Sequence, residues 1–416
     1  MAISAGIPFG SDKILHEEAG LKPSLRVALF ADTFFEPNGV ATVCREFVSF
    51  AEQQQIPFCC VRAGTVRRAS RQGALTTLEL NRGPASFPLD KDLQCDPLLS
   101  RHRKWVVDQL KEFRPDLIHI TGPGDFGTLG LWVAKLLGVP RVASWHTNVH
   151  EYASQRLQKV FGFAPRGLRK RIGAVAEEQS LNATMRFYGL AHFLLASNQG
   201  MVDQLRQRTR KPAYLMAHGV DTTRFSPAWR KRTSGALSIG YVGRLTPEKN
   251  LRWFRELEEK LLAAGQQDFR IVLVGDGSER QWLKHNLEFG ELPGVLRGDN
   301  LAAAFADLDI FVFPSRTDTF GLVILEAMAS GVPVVVTPET GARVGVQDGV
   351  TGVLTEDLAG GVLQLMQDTP SRCRMGAEAR RFAGSKDWTH VFENLYRTYD
   401  AALKTEEVHS RIGTRA

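Results

Sequence analysis

Three stretches of the chain place residues suited to phosphate and sugar chemistry in short loops. In YVGRLTPEKN, Arg244 and Lys249 stand five residues apart, just beyond an apolar run. Arginine offers a planar fork to phosphate oxygens and lysine a compact point charge, so the pair suits the negative charge that grows on a departing diphosphate. The competing reading is a solvated loop in which Glu248 partners the cations. In SRTDTFGLVILEAMASGVPVVVT, Asp318 and Glu326 lie eight residues apart, across a turn and the start of a helix expected near Phe320. Glu326 then falls about two turns in. Free amides near Phe320, Gly321 and Leu322 would present partial positive charge to phosphate oxygens, while the carboxylates accept from ribose or sugar hydroxyls. A plainer role for Asp318 is to cap that helix. In FFEPNGVATV, Gly39 opens a helix and lets backbone amides approach a ligand closely, although a simple turn glycine would look the same.

Other patterns compete for attention. Gly122, Gly124 and Gly127 spell GxGxxG after a strand and before a helix, as a dinucleotide fingerprint does. The next strand, PRVASWH, ends in Trp145 and His146 with no carboxylate to hold a ribose, which argues against a nicotinamide site. Asp307 and Asp309 form a DxD, but at the head of an apolar strand they read as strand-edge and capping groups, not as a metal site. Asn182 starts a glycosylation sequon that matters only in a secreted chain. His146 follows a first-domain strand and is a candidate for the cleft, against the usual structural role of a lone histidine. The five cysteines (Cys44, Cys59, Cys60, Cys95, Cys373) show no CxxC or Cys/His ligand spacing and read as reduced thiols.

The elements that must position these loops alternate strand and helix. LRVALFAD, DLIHIT, PRVASWHT and HFLLASN each precede a helical pattern. After a polar, basic stretch at 226–236, a second series begins with LSIGYVGRL and continues through FRIVLVGDG, ADLDIFVFPS and VPVVVT. Short apolar runs closed by turn residues are buried parallel strands, so the fold class is α/β, with two sheets in tandem. The 416 residues, 43% of them hydrophobic, suffice for two large cores. Ligands of open parallel sheets collect at the carboxyl ends of the strands, and two such domains make a cleft. The expected divisions are a polar leader at 1–24, a first domain at 25–225, a linker at 226–236 and a second domain at 237–386. A closing helix at 387–404 and a tail at 405–416 complete the chain.

A net charge of +7 is compatible with phosphate ligands, nucleic acid or an anionic membrane face. No recognisable nucleic-acid module is present, and the cations stand at strand ends instead of along one helix, so no nucleic-acid partner is expected. The opening residues do not read as a secretory signal and no apolar run is long enough to span a bilayer, so a cytoplasmic address is expected. Residues 156–186 mix Arg and Lys with Phe, Leu and Ile, as a helix lying on an anionic membrane would; a solvated helical face fits equally.

Taken together, PNGVATV, DLIHITGPGDFG, SWHTNVHEYA, HGVDTTRFSP, YVGRLTPEKN, LVGDGSER, FVFPSRTDTFGLVILEAMASGVPVV and SKDWTHVFENLYRTY resemble, in order and spacing, the family-four retaining glycosyltransferases of the GT-B fold. The resemblance runs from about residue 26 to residue 399 and implies two Rossmann-like domains facing across a cleft. It implies that Arg244 and Lys249 bind the donor diphosphate and steady the leaving group, and that Glu326 holds the nucleotide ribose. Asp318 stands where the family's signature usually has its first glutamate, which contacts the transferred sugar. Gly39 matches the backbone contact to phosphate, and His146 the histidine beside the donor sugar. His218 stands where HGVD more often reads NGVD, a change expected to touch only the interdomain connector. The resemblance implies no cofactor and no bound metal, since basic side chains and helix amides replace it. The substrate would be a nucleotide diphosphate sugar, with mannose from a guanosine donor the first choice, and the acceptor a glycan or glycolipid. The closing helix would cross back onto the first domain as a hinge element. A phosphorylase or sugar-nucleotide epimerase on the same plan is the alternative.

Overall fold

The computed structural model describes residues 25–36, 38–90, 93–146, 166–316, 318, 320–338, 341 and 345–413. The first sheet is built from β1 (Val27–Phe30), β2 (Phe58–Gly64), β3 (Arg68–Gln72), β4 (Leu75–Asn81), β7 (Leu117–Ile120), β8 (Arg141–Trp145), β9 (Phe193–Ala196) and β10 (Ala213–Leu215). A short antiparallel ribbon, β5 (Phe87–Asp90) with β6 (Leu93–Cys95), stands apart from it. The strand order is β10-β9-β8-β7-β1-β2-β4-β3, parallel except for the edge pair β3 and β4. Side chains alternate across each strand. Val27 and Leu29 turn toward helix Gly39–Gln53, whereas Ala28 and Phe30 turn to the opposite face, where Leu110, Leu129 and Tyr188 fill the core. Burial on both faces explains why the inner strands read as unbroken apolar runs.

The second sheet contains β11 (Leu237–Val242), β12 (Phe269–Val274), β13 (Gly290–Gly294), β14 (Ile310–Phe313), β15 (Val334–Val336) and β16 (Gly352–Leu354). All are parallel, in the order β13-β12-β11-β14-β15-β16. Each sheet therefore runs outward in one direction from its first strand and then reverses, between β1 and β7 in one and between β11 and β14 in the other. Reversal points of this kind are where open parallel sheets receive their ligands.

The chain crosses between domains twice, at neighbouring places. Val220 bridges to Asp387 and donates its amide to the Lys386 carbonyl. Trp388 then begins a long helix, Trp388–Gly413, which extends past the expected end at 404 and lies on the first domain. Phe392 stacks on Phe47 with ring centroids 4.5 Å apart, and Leu395, Tyr396 and Tyr399 join the same core. Downstream of Val220, Arg380 donates to the carbonyls of Thr222, Phe225 and Ala329, tying the connector to the second domain. Both carboxylates of the DxD are used in this region: Asp307 accepts from the amides of Lys231 and Arg232, and Asp309 from Arg230, Arg232 and the Ser238 amide. They are structural anchors of the linker.

Of the basic segment at 156–186, residues 156–165 lie outside the described residues, as do 1–24. Helix Arg166–Tyr188 follows, and near its end Leu181, Met185 and Tyr188 are buried in the first-domain core. Among the described residues, no helix is long and apolar enough to cross a membrane.

Candidate active site

The loop after β11 and the loop after β14 flank the reversal point of the second sheet, and they meet there. Lys249, buried at the end of a 3₁₀ turn (Pro247–Lys249), places Nζ 2.6 Å from Asp318 Oδ1. Arg244 is more open, with a terminal nitrogen 3.7 Å from Glu248 Oε1, which also accepts from Thr246 Oγ1. The Arg244 loop is supported by the LVGDG turn after β12. Leu245 exchanges backbone hydrogen bonds with Asp276 and Glu279, so closely that a Cβ on Gly277 would stand 2.2 Å from the Leu245 carbonyl oxygen. Glycine there is what lets the two loops touch.

The start of the following helix differs from the expectation. Helix Leu322–Ala329 is entered through Gly321, whose φ of +75° is left-handed, so the first turn begins at Leu322 and not near Phe320. Glu326 consequently lies one turn in, not two. Nor is Asp318 a cap: the helix has no side-chain cap, and Asp318 is paired with Lys249 instead. Glu326 is half-buried, and burial pushes its carboxyl up to about 7; Arg224 opposes that shift and Glu46 of the first domain adds to it.

Two contacts bring the first domain to this edge. Gly39, exposed at the start of helix Gly39–Gln53, faces Leu322: a Cβ there would lie 3.5 Å from Leu322 Cδ1. Asn38 caps that helix by accepting from the Ala41 amide. His146, at the end of β8, has its ring centroid 5.6 Å from that of His218, which in turn lies 4.4 Å from the Phe320 ring. His218 is thus a correction to the sequence reading. It is buried between a first-domain histidine and a second-domain phenylalanine, not confined to the connector. Burial pushes the imidazoles of His146 down to about 4 and of His218 down to about 3, so both are neutral near pH 7.

The reversal point of the first sheet is built differently. Asp32, at the end of β1, accepts from the amides of Gly124 and Gly127 at 3.2 and 3.1 Å. The N-terminus of helix Asp125–Leu137 is therefore already occupied by a carboxylate. The three glycines of the GxGxxG pattern serve this packing: a Cβ on Gly124 would meet Asp32 Oδ1 at 2.3 Å, and one on Gly127 would meet the Gly122 carbonyl at 1.9 Å. Burial, reinforced by Asp125, raises the Asp32 carboxyl to about 7 despite the two amide donors. Sequence reasoning passed over Asp32, although an acid just past the first strand, in a sheet whose neighbouring strand leads into the glycine-rich turn at 122–127, is the signal that could have found it.

The profile described as Glycosyltransferase Family 4 matches residues 37–224, and that of Glycosyl transferases group 1 matches residues 236–368. A GDP-mannose-dependent alpha-mannosyltransferase of Mycolicibacterium smegmatis is 32% identical over 72% of this chain and 77% of its own length. This chain belongs to the family-four glycosyltransferases. A second GDP-mannose-dependent alpha-mannosyltransferase, from Corynebacterium glutamicum, is 30% identical to this glycosyltransferase over 90% of the chain and 88% of the relative. Among solved structures, Anabaena HepE in complex with UDP-glucose superposes with a TM-score of 0.61 at 18% identity, covering 90% of this chain and 99% of that one. The fold of the glycosyltransferase is GT-B: two Rossmann-like domains facing across a cleft. These relatives do not favour a phosphorylase, an epimerase or a nucleic-acid binder.

Proposed function

We propose that this glycosyltransferase moves a hexose, mannose from GDP-mannose, onto an acceptor hydroxyl of a glycan or glycolipid, with retention of anomeric configuration. The choice of donor is supported by the names of the two relatives matched over most of their length. The observation that carries the reading is the pairing of Lys249 with Asp318 at the reversal point of the second sheet, in a loop that also carries Arg244 beside Glu248. A diphosphate seated there takes Lys249 and Arg244 as partners, along with the amides opening helix Leu322–Ala329 near Phe320 and Gly321. Gly39 offers a backbone contact from the opposite wall, Glu326 accepts from the ribose hydroxyls, and Asp318 and His146 lie beside the sugar. No metal ion or cofactor is assigned a role.

In the reaction, the bond from the anomeric carbon to the phosphate oxygen breaks as the acceptor oxygen bonds to that carbon on the same face. The acceptor proton passes to a donor phosphate oxygen. Cations fixed in advance on the leaving group stabilise charge where it develops. An acceptor at an anionic membrane surface suits the basic residues between 156 and 186.

The test is a panel of nucleotide sugars scored for slow hydrolysis without acceptor, in the presence of a chelator, followed by the anomeric configuration of the transfer product. Turnover of GDP-mannose above the other donors and a product of unchanged configuration are expected. No turnover of any donor refutes the reading, and an inverted product refutes the mechanism.

A further inference from the structure

Three buried side chains outside the proposed chemistry form one line of hydrogen bonds that ends on His146. Tyr399, in helix Trp388–Gly413, has its hydroxyl 2.7 Å from His119 Nδ1. The other ring nitrogen of His119, Nε2, lies 2.8 Å from Ser144 Oγ, which lies 2.8 Å from His146 Nε2. All four residues are buried. His119 and His146 are both held neutral by burial, pushed down to about 3 and about 4, so each ring carries one proton and the question is on which nitrogen.

The geometry gives the line a direction. Among the described residues, the Tyr399 hydroxyl has His119 Nδ1 as its one hydrogen-bond partner. Burial holds the phenol protonated, so it donates to Nδ1, which must be the bare nitrogen. His119 then carries its proton on Nε2 and donates to Ser144 Oγ. The Ser144 hydroxyl has two acceptors to choose from, His146 Nε2 at 2.8 Å and the Ile120 carbonyl at 3.4 Å. The shorter one lies in the normal range for a hydroxyl donor and the longer does not. His146 Nε2 therefore accepts, and its proton sits on Nδ1.

We propose that Tyr399 is a positioning residue for His146: its hydroxyl, brought onto the first domain by the closing helix, fixes through His119 and Ser144 which nitrogen of His146 carries the proton. The proposal rests on the reading of His146 as a residue beside the donor sugar. Its consequence is that seating of the element that joins the two domains sets the hydrogen-bond polarity of the first-domain wall, next to His218 and Phe320.

Histidine-selective ¹⁵N labelling of the full chain reads the tautomer directly, with His146 assigned by the signals lost in His146→Gln. The wild type is expected to show His146 protonated on Nδ1. Tyr399→Phe removes one oxygen; it should shift His146 toward the Nε2-protonated form and lower kcat about tenfold, the worth of one hydrogen bond, with donor KM within about twofold. Ser144→Ala should shift the tautomer in the same way. Tyr396→Phe, one helical turn away and with a hydroxyl bonded to none of the described residues, should change neither tautomer nor kcat. A wild-type His146 protonated on Nε2, or a Tyr399→Phe protein with the wild-type tautomer, overturns the proposal. The spectra need no donor, so a silent donor panel would remove the place of His146 beside the sugar while the hydrogen-bond line and the tautomer it fixes are still tested.

Discussion

Both sheets reverse direction beside their first strand, yet their reversal points are opposite in character. In the second sheet the crevice is lined by Arg244 and Lys249, each facing a carboxylate that a ligand could replace. In the first, the equivalent crevice is closed by Asp32, which accepts from both glycine amides that a phosphate would otherwise use. The same reversal thus sets cations against carboxylates in one sheet and, in the other, spends the helix amides on an internal carboxyl group. A glycine pattern alone does not distinguish the two; the identity of the residue closing the first strand does. Val242 leads into Gly243 and Arg244, whereas Phe30 leads into Ala31 and Asp32.

Substitution on each side should separate the two roles. Lys249→Ala should lower turnover of the folded protein about a hundred- to a thousandfold, the usual cost of losing one preorganised partner of developing charge, and should also lower the melting temperature, because Asp318 loses its partner in a half-buried place. Near-normal turnover would erase the contrast between the crevices. Asp32→Asn, assayed at pH 8, presents one oxygen and an NH₂ to two amide donors, so it should cost about 1–3 kcal/mol of stability in a denaturant titration. Turnover of the folded fraction should stay within about twofold. A large loss of turnover at unchanged stability would mean that the first crevice takes part in chemistry after all.

The smallest effect is one of pH. Glu326 has a carboxyl raised to about 7 by burial, so its ionised, accepting form grows as pH rises through that value. Donor KM should fall about tenfold between pH 6 and pH 8, as expected for a single group titrating near 7. Glu326→Gln should flatten the profile. His119, His146 and His218, all held well below 6, contribute nothing in this window. A slope that survives in Glu326→Gln would assign it to another group.

The α/β class and the strand-end loops were legible because a strand buried on both faces must be a short apolar run, and LRVALF, DLIHI, LSIGYV and DIFVF are such runs. Lys249 and Asp318, which are 69 residues apart in sequence, were legible only as separate loops. Their pairing follows from β11 and β14 being neighbours, which a list of strands does not reveal. The start of helix Leu322–Ala329 was misplaced because Gly321 in a left-handed conformation defers the first turn. His218 reads as a connector residue because HGVD differs from NGVD only there; its packing between His146 and Phe320 is a tertiary fact without local signature. The line from Tyr399 to His146 joins residues from the closing helix, β7 and β8, and no spacing rule links them.

The contact between Lys249 and Asp318 has a further consequence for which molecules can settle in the cleft. An orthophosphate or small carboxylate that took hold of Lys249 would strip Asp318 of its lysine while leaving that acid half-buried, a costly separation in a poorly solvated place. A visitor bearing both an anionic tail and neutral hydroxyls gives each member a new companion. On the proposed reading of this site, charges balanced against each other beforehand select against simple ions and for molecules that bring both chemistries at once.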